Sequence, residues 1–150
     1  MDAATVKNKV AIGKVLISMT VTNRADEILA KAGALPVENI RTVALDNVLV
    51  DTGAMTLCLP AKVVKQLGLE LLKEVDVATA TGISQARVFQ DARLSILGRE
   101  GSFECLELPG GQDPLVGVIP LEALGLEPDL RNQTFKVLPA ESWETYLTIL

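Results

Sequence analysis

Every second residue from Val15 to Val21 is apolar, and three of the four residues that follow them are Ser or Thr. A repeat of two residues is typical of a strand that buries one face. We therefore predict a strand over residues 13–23. Residues 24–39 have Ala and Leu at helical spacing, but Gly33 and Pro36 interrupt them. This segment predicts a connection that contains at most a short helix.

Two later segments rich in β-branched and apolar residues predict paired strands. Residues 41–51 predict two strands with a turn at Asp46–Asn47 between them. Residues 75–90 predict a hairpin whose tip lies near Gly82 and whose fairly polar arms are partly exposed. Both segments favour antiparallel β structure over helix.

The rest of the chain predicts a second hairpin and short elements. Residues 92–108 predict a hairpin that turns at residues 98–101. Two short helices are expected at residues 60–68 and 120–125, since each segment begins with Pro and ends with Gly. Short strands are expected at residues 115–120 and 133–139. The pattern predicts a mostly β fold with one or two short helices.

The domain organisation predicted for these 150 residues is a single domain over residues 1–150, with its core at about residues 14–139. No linker divides the chain. Residues 140–150, AESWETYLTIL, have five apolar or aromatic residues among the last eight. We expect this tail to pack on its own domain or on a partner, because contiguous apolar surface is rarely left in water.

Composition and charge narrow the class of protein. Hydrophobic residues make up 49% of the chain, as in a folded protein. Fourteen basic and nineteen acidic side chains give a net charge of −5, and no Lys/Arg run stands out, so we expect no nucleic-acid partner. No signal-peptide core or membrane-spanning run is present either. We expect a cytoplasmic protein without a membrane partner.

Cysteine and histidine content restricts the chemistry. Cys58 and Cys105 are too few for a disulfide framework, and the chain has no His. A zinc site is therefore not expected, and we predict neither a metal nor a cofactor. Mechanisms that pair Ser or Cys with an imidazole are excluded. Cys58 has no imidazole to activate it and is predicted to be a small core residue.

The segment NVLVDTGAMTLCLP, residues 47–60, places one carboxylate, Asp51, between two apolar runs. Burying an unpaired carboxylate is costly, so a charge at this place needs a reason. Gly53 permits a tight turn, and strand character resumes at residues 57–59. We predict that Asp51 lies in a rigid turn that is shielded from water. The alternative, which involves no catalytic role, is an ordinary Asp-Thr-Gly turn between two strands.

Other acidic residues and glycine turns are weaker candidates. The glycine segments GREG and PGGQ do not connect a strand to a helix, as phosphate-binding loops do. Seven of the other acids lie in polar stretches, at a strand edge or in a loop, and we predict that they are solvated. They are Asp26, Glu27, Glu70, Glu74, Asp76, Glu104 and Asp113.

A faint internal repeat relates the two halves of the chain. Residues 49–70 contain Leu-Val-Asp, a Pro-started helix and Gly-Leu-Glu, and residues 115–127 contain Leu-Val-Gly followed by similar elements. The intervals differ, so the likeness could be coincidence. A true repeat would place Asp51 and Gly117 in matching positions of two similar halves.

The segments LVDTGAMTLCLP, TATGIS and LVGVIPLEALGL together resemble the retroviral-type (retropepsin-like) aspartic proteases, especially their bacterial single-lobe relatives. The resemblance covers roughly residues 14–139. It implies a closed acid-protease barrel, formed by a single lobe that dimerises. The connection at residues 23–41 is longer than in a compact retroviral enzyme.

The resemblance also implies roles for individual residues. Asp51 would be the catalytic residue. Supporting residues of its loop would be Thr52, Gly53 and Ala54; the flap over the substrate would carry Thr81, Gly82 and Ile83; and the hydrophobic-hydrophobic-Gly element behind the loop would be Leu115, Val116 and Gly117.

The family chemistry needs two carboxylates, whereas this chain has one Asp-Thr-Gly. The resemblance therefore implies a homodimer in which Asp51 of each copy meets across a two-fold axis and shares a proton. The ionised member would activate water to attack a peptide carbonyl of a peptide or protein substrate. The alternatives are a noncatalytic β-barrel dimer that binds peptides or partner proteins, and an activity confined to self-processing.

Overall fold

In the computed structural model, which describes residues 14–109, 111–129 and 131–139, a seven-stranded sheet closes into a barrel and a two-stranded sheet lies beside it. The strands are β1 (Val15–Asn23), β2 (Thr42–Val50), β3 (Leu57–Pro60), β4 (Glu70–Thr79), β5 (Gly82–Ile96), β6 (Arg99–Leu108), β7 (Leu115–Val116), β8 (Leu126–Asp129) and β9 (Thr134–Val137). The helices are α1 (Arg24–Lys31), α2 (Ala61–Leu67) and α3 (Val118–Ala123), with a 3-10 turn at Val37–Asn39.

The strand order explains how the barrel closes. Neighbouring strands follow the order β1-β2-β7-β3-β6-β5-β4, and β1 also pairs with β5. The β1–β5 pairing closes six strands into a ring, and β4 is attached outside it through β5. A closed ring has no end strand, so among the described strands of this sheet β4 alone is an edge strand. The prediction of a mostly β closed barrel with short helices is confirmed.

The core is formed by the inward faces of the barrel strands. In β1 the burial alternates as predicted: Val15 is 1% exposed and Val21 is fully buried, whereas Leu16 on the outer face is 55% exposed. Val48 and Leu94 from neighbouring strands are also fully buried. Hydrophobic burial of this kind is the main favourable contribution to folding.

The predicted turn at Asp46–Asn47 is wrong, because β2 continues through it as a β-bulge. Ser18 of β1 lies opposite both residues, since the pairing shifts between Ile17 and Met19. Asn47 has a φ of 57°, and the Ser18 hydroxyl donates to Asp46 Oδ1 at 3.0 Å. Asn tolerates positive φ in bulges as well as in turns. The same residues therefore favour both structures.

The two predicted hairpins share one long strand. β5 runs without a break from the tip of the first hairpin to the turn of the second, and it contains a bulge at Asp91, where φ is 63°. The second hairpin turns at Leu97–Gly98 and not over residues 98–101, because Ile96 already pairs with Arg99. Both turn residues have positive φ, as a two-residue hairpin of this twist requires.

The C-terminal part differs from the prediction in its boundaries. The strand expected over residues 115–120 ends at Val116, and α3 begins at Val118 instead of at Pro120. β8 was not predicted. It pairs with β9 in the separate sheet, which we call the β8–β9 ribbon. The predicted packing of residues 140–150 lies outside the described residues.

The long connection before β2 is fastened by a buried carboxylate. α1 is a short helix, as predicted, and the Asn23 side chain accepts a hydrogen bond from the Asp26 amide at 3.0 Å. Asp26 accepts hydrogen bonds from Nε and Nη2 of Arg41 at 2.8 and 2.9 Å. Asp26 is only 4% exposed, so the prediction that it is solvated is wrong. Its partner lies fifteen residues away and gives no local signal.

The Arg41 side chain also restricts the end of α2. Gly68 ends this helix with a φ of 61°, a left-handed conformation that favours glycine. A Cβ atom at this position would overlap the guanidinium group of Arg41. Gly68 therefore satisfies a conformational and a spatial requirement at once.

Replacing Asp26 by Asn is expected to lower the free energy of unfolding by about 2 kcal/mol at neutral pH. This is below the range of about 3–5 kcal/mol for breaking a buried ion pair, because the Arg41 side chain is half exposed. The hydrogen bonds from Arg41 hold the pKa of Asp26 below its ordinary value of 3.8. The added stability is therefore present above that value and is lost as the pH falls through the folded-state pKa.

Urea unfolding at neutral pH and along an acidic series measures this effect. The difference between the wild-type chain and Asp26→Asn is expected to shrink as the pH falls. Asp46→Asn is the matched control, because Asp46 is exposed and accepts only from a hydroxyl among the described contacts. Equal unfolding free energies for the wild-type chain and Asp26→Asn at neutral pH would contradict the assignment.

Candidate active site

Asp51 follows directly after β2, next to the start of α3. The end of β2 pairs in parallel with β7, so that Val50 lies opposite Val116. The Asp51 amide donates to the Val116 carbonyl oxygen at 3.0 Å. Asp51 and Gly117 are thus the next residues of two paired strands. The arrangement agrees with the internal repeat, which placed these two residues in matching positions.

The loop after Asp51 fixes the direction of its carboxylate. The Ala54 amide donates to the Asp51 carbonyl oxygen at 3.1 Å and closes a four-residue turn. The Gly53 amide donates to Asp51 Oδ1 at 2.9 Å. Two hydrogen bonds within the loop therefore hold the backbone and the side chain of Asp51 together.

The Asp51 loop, residues 51–56, faces solvent in the single chain. Asp51 is partly buried, Thr52 and Gly53 are exposed, and Met55 is 72% exposed. The prediction that Asp51 is shielded from water is therefore wrong for a single copy of the chain. Of the apolar residues after Asp51, Leu57 is fully buried in the core, whereas Met55 lies on the exposed surface.

Three consecutive amides hold the Asp51 loop from behind. The Gly117 amide donates to the Thr56 carbonyl oxygen at 3.0 Å, the Val118 amide to that of Ala54 at 2.9 Å, and the Ile119 amide to that of Met55 at 2.8 Å. The close approach depends on the glycine, because a Cβ at residue 117 would lie 2.5 Å from the Ala54 carbonyl oxygen. The structure thus brings the Leu115–Gly117 segment against the loop, where the resemblance expected it.

The flap candidates Thr81, Gly82 and Ile83 lie at the tip of the β4–β5 hairpin. Strand β5 pairs with β6 only from Val88 onward, so the six residues before it pair with β4 alone. Six residues of strand span about 20 Å, which makes the tip a projecting two-stranded ribbon. Ile83 is 79% exposed. No hydrogen bond within the described residues joins this tip to Asp51.

A groove that sequence reasoning missed opens beside Thr52. Its volume is about 430 Å³. Its lining combines residues of α3, of the β8–β9 ribbon and of the segment after it, among them Val118, Leu121, Leu126, Pro128 and Leu138. The apolar spacing in residues 118–126 was a signal for it, but the unpredicted strand β8 hid the second wall. Sequence reasoning also missed the backbone carbonyl groups of Met55 and Thr56, which accept hydrogen bonds from Ile119 and Gly117, because no side chain marks them.

Cys58 lies near the candidate site, but its thiol is not activated. It is 5% exposed, and burial, followed by the negative charge of Asp51, raises the pKa of its thiol to about 11. Burial also raises the pKa of Cys105. The nucleophile is the thiolate, so neither residue is activated at neutral pH. The prediction that Cys58 is a core residue is confirmed.

The other acidic candidates do not converge on Asp51. The residues that are exposed, as predicted, are Glu70, Glu74, Asp76, Glu104 and Asp113. Glu27 is partly buried and pairs with Arg93 at 2.9 Å. Among the described residues there is no group of three or more acidic or cysteine side chains arranged to hold a metal ion.

Comparison with known families agrees with this geometry. A family model described as gag-polyprotein putative aspartyl protease matches residues 39–137, about two thirds of the chain. The chain belongs to this family. The match includes the Asp51 loop, the β4–β5 hairpin and the segment at Gly117, so the resemblance to retropepsin-like proteases is confirmed. A search of curated proteins found no match.

The aspartyl protease match begins at residue 39 and therefore excludes β1 and α1. β1 is nevertheless part of the barrel, since it pairs with β2 and β5. Within the residues that the structure describes, no helix is long and apolar enough to span a membrane.

Proposed function

We propose that the chain is an aspartic endopeptidase that acts as a homodimer, with Asp51 of each copy forming the catalytic pair. The observation that carries this proposal is the Asp51 carboxylate, held by the Gly53 amide at 2.9 Å on an exposed loop that rests on Gly117. The loop fixes one carboxylate oxygen and leaves Asp51 partly exposed. Such pre-organisation is what general acid–base catalysis requires.

A second copy is needed because the segment that matches Asp51 in the internal repeat, Leu115–Gly117, contains no acidic residue. The residue that pairs alongside Asp51 is Gly117, which has no side chain to donate or accept a proton. Peptide hydrolysis by this chemistry uses one ionised and one protonated carboxyl group. A two-fold axis beside the loop would supply both from identical residues.

Exposure of the loop supports the same arrangement. Thr52 and Gly53 are exposed, and the apolar side chains of Met55 and Ile119 are 72% and 47% exposed beside them. The groove next to Thr52 adds further apolar surface. We assign the loop and the groove to the interface between two copies, because burying such surface favours association.

In the dimer the two carboxyl groups would share one proton and bind a water molecule between them. The ionised group takes a proton from this water as the water oxygen attacks the peptide carbonyl carbon. The protonated group polarises the carbonyl oxygen, and a proton then passes to the leaving nitrogen as the C–N bond breaks. The exposed tip at Thr81–Ile83 would cover the bound peptide.

Cleavage of an unfolded protein substrate, followed by mass spectrometry, tests the proposal. We expect new termini at acidic to neutral pH, and a rate per chain that rises with protein concentration until the dimer is saturated. Sedimentation of the same samples measures the dimer directly. Peptide binding without cleavage would overturn the catalytic proposal and favour the noncatalytic binding module. Cleavage by a chain that stays monomeric would overturn the dimeric pair.

A further inference from the structure

Arg99 joins three parts of the chain that meet behind the groove. It is the first residue of β6, directly after the Leu97–Gly98 turn. Its Nη1 donates to the carbonyl oxygens of Leu124 and Gly125 at 3.0 and 3.2 Å. Its Nη2 donates to the carbonyl oxygen of Leu138. One side chain of the barrel therefore holds the end of α3 and the segment after β9.

The groups that Arg99 holds belong to the walls of the groove beside Thr52. Gly125 and Leu138 both line this groove, and the Leu138 amide donates to the Gly125 carbonyl oxygen at 2.9 Å. The guanidinium group thus crosses the seam at which the two walls meet. None of these hydrogen bonds involves Asp51 or its loop.

The β8–β9 ribbon depends on contacts of this kind. Each of its strands has four residues, and its strands pair with each other and not with the main sheet. A two-stranded sheet is at best marginally stable by itself. The positive charge of Arg99 also lies at the C-terminal end of α3, where unpaired carbonyl groups favour a cation.

We propose that Arg99 is a positioning residue for dimerisation: by fixing the β8–β9 ribbon against α3, it shapes the groove that receives the second copy. This inference rests on the proposed function, which assigns the groove to the dimer interface. The hydrogen bonds that support Asp51 involve none of the groups that Arg99 holds, so we expect them to persist when the Arg99 contacts are lost. The expected defect is therefore in the affinity between copies and not in the chemistry of an assembled dimer.

The geometry requires arginine specifically. Two nitrogen atoms of a planar guanidinium group donate to carbonyl oxygens on two separate segments. A lysine ammonium group is a single point charge and cannot bridge both segments in this way. Arg99→Lys keeps the charge and most of the length while removing the bridge.

Analytical ultracentrifugation of the wild-type chain, Arg99→Lys and Arg99→Ala tests the inference. We expect the dimer dissociation constant to rise at least about tenfold in Arg99→Lys and further in Arg99→Ala, as the loss of a charge-assisted contact implies. Arg87→Lys is the matched control, because Arg87 forms a bidentate pair with Glu107 at the base of the β4–β5 hairpin and does not line the groove. Its dissociation constant is expected to stay near the wild-type value.

Two further measurements separate positioning from a general structural role. Thermal melting at concentrations where each chain is monomeric reports the stability of the single copy, and we expect Arg99→Lys to fold and melt cooperatively. The cleavage rate per dimer is expected to return to the wild-type value once enough Arg99→Lys chain is present to restore the dimer. A rate per dimer that stays low would overturn the inference.

The outcomes also separate this inference from the proposed function. A wild-type dimer that binds peptides without cleaving them would contradict the endopeptidase and leave the role of Arg99 standing. An unchanged dissociation constant in Arg99→Lys and Arg99→Ala would overturn the role of Arg99 and leave the endopeptidase standing. A wild-type chain that never dimerises would overturn both.

Discussion

Replacing Asp51 by Asn is expected to reduce peptide hydrolysis by at least about 10²-fold, since a positioned general acid or base contributes about 10²–10⁴-fold. The replacement removes the carboxyl group from both copies of the proposed dimer. Asn has nearly the same size, and its Oδ1 atom can still accept the Gly53 amide that now donates to Asp51 Oδ1 at 2.9 Å. The fold and the dimer are therefore expected to persist.

The measurement is the cleavage rate at a protein concentration that saturates the dimer, alongside sedimentation and circular dichroism. Asp46→Asn is the matched control, because it makes the same chemical change five residues earlier, where the Ser18 hydroxyl donates to Asp46. Asp46→Asn is expected to retain full activity. A dimeric Asp51→Asn chain that cleaves at the wild-type rate would rule out Asp51 as the catalytic residue.

Mixing the two chains tests whether the carboxyl groups act as a pair. Equal amounts of wild-type chain and Asp51→Asn, combined at random, leave about one quarter of the dimers with two Asp51 carboxyl groups. Activity is expected to fall to that fraction if both groups are needed. Retention of about half the activity would mean that each copy works by itself.

Replacing Gly117 by Ala is expected to abolish activity and to lower the free energy of unfolding by about 2–3 kcal/mol, the upper part of the range for overpacking. The added Cβ would lie 2.5 Å from the Ala54 carbonyl oxygen and 2.8 Å from the Met55 carbonyl carbon. These are backbone atoms, which cannot rotate away as the end of a side chain can. The loop that carries Asp51 must therefore shift.

Backbone conformation does not account for this effect, because Gly117 has a φ of −99°, which alanine adopts readily. Gly101→Ala is the matched control. A Cβ there would meet the ring of Phe103 at 2.9 Å, and this ring can move. Cleavage assays and urea unfolding of both variants measure the difference. Full activity of Gly117→Ala would show that the loop does not depend on this close approach.

Much of the barrel follows from local patterns in the sequence. The period of two residues in β1 predicts its buried face, because the alternation repeats over four apolar positions. The repeat of Leu-Val before Asp51 and before Gly117 anticipates their adjacent placement, since the two strands pair in register at those residues. The first signal is local, and the second is a repeated residue pair that can be recognised although the two strands lie far apart in the sequence.

The features that sequence reasoning missed depend on distant partners or on ambiguous residues. Asp26 is buried because Arg41 reaches it, and Arg99 holds groups near the end of the described chain. Asn47 suits a bulge as well as a turn. The exposure of Met55 could not be inferred either, because an apolar residue packs equally well in a core or at an interface.

The meeting of Gly68 and Arg41 at the end of α2 has a consequence for relatives of this chain. Two constraints select glycine at residue 68: its positive φ and the guanidinium group beside it. A relative without the connection at residues 24–41 has no guanidinium group there and keeps only the first constraint. Asn, which also adopts positive φ, then becomes acceptable, so the identities of these two positions should vary together across homologues.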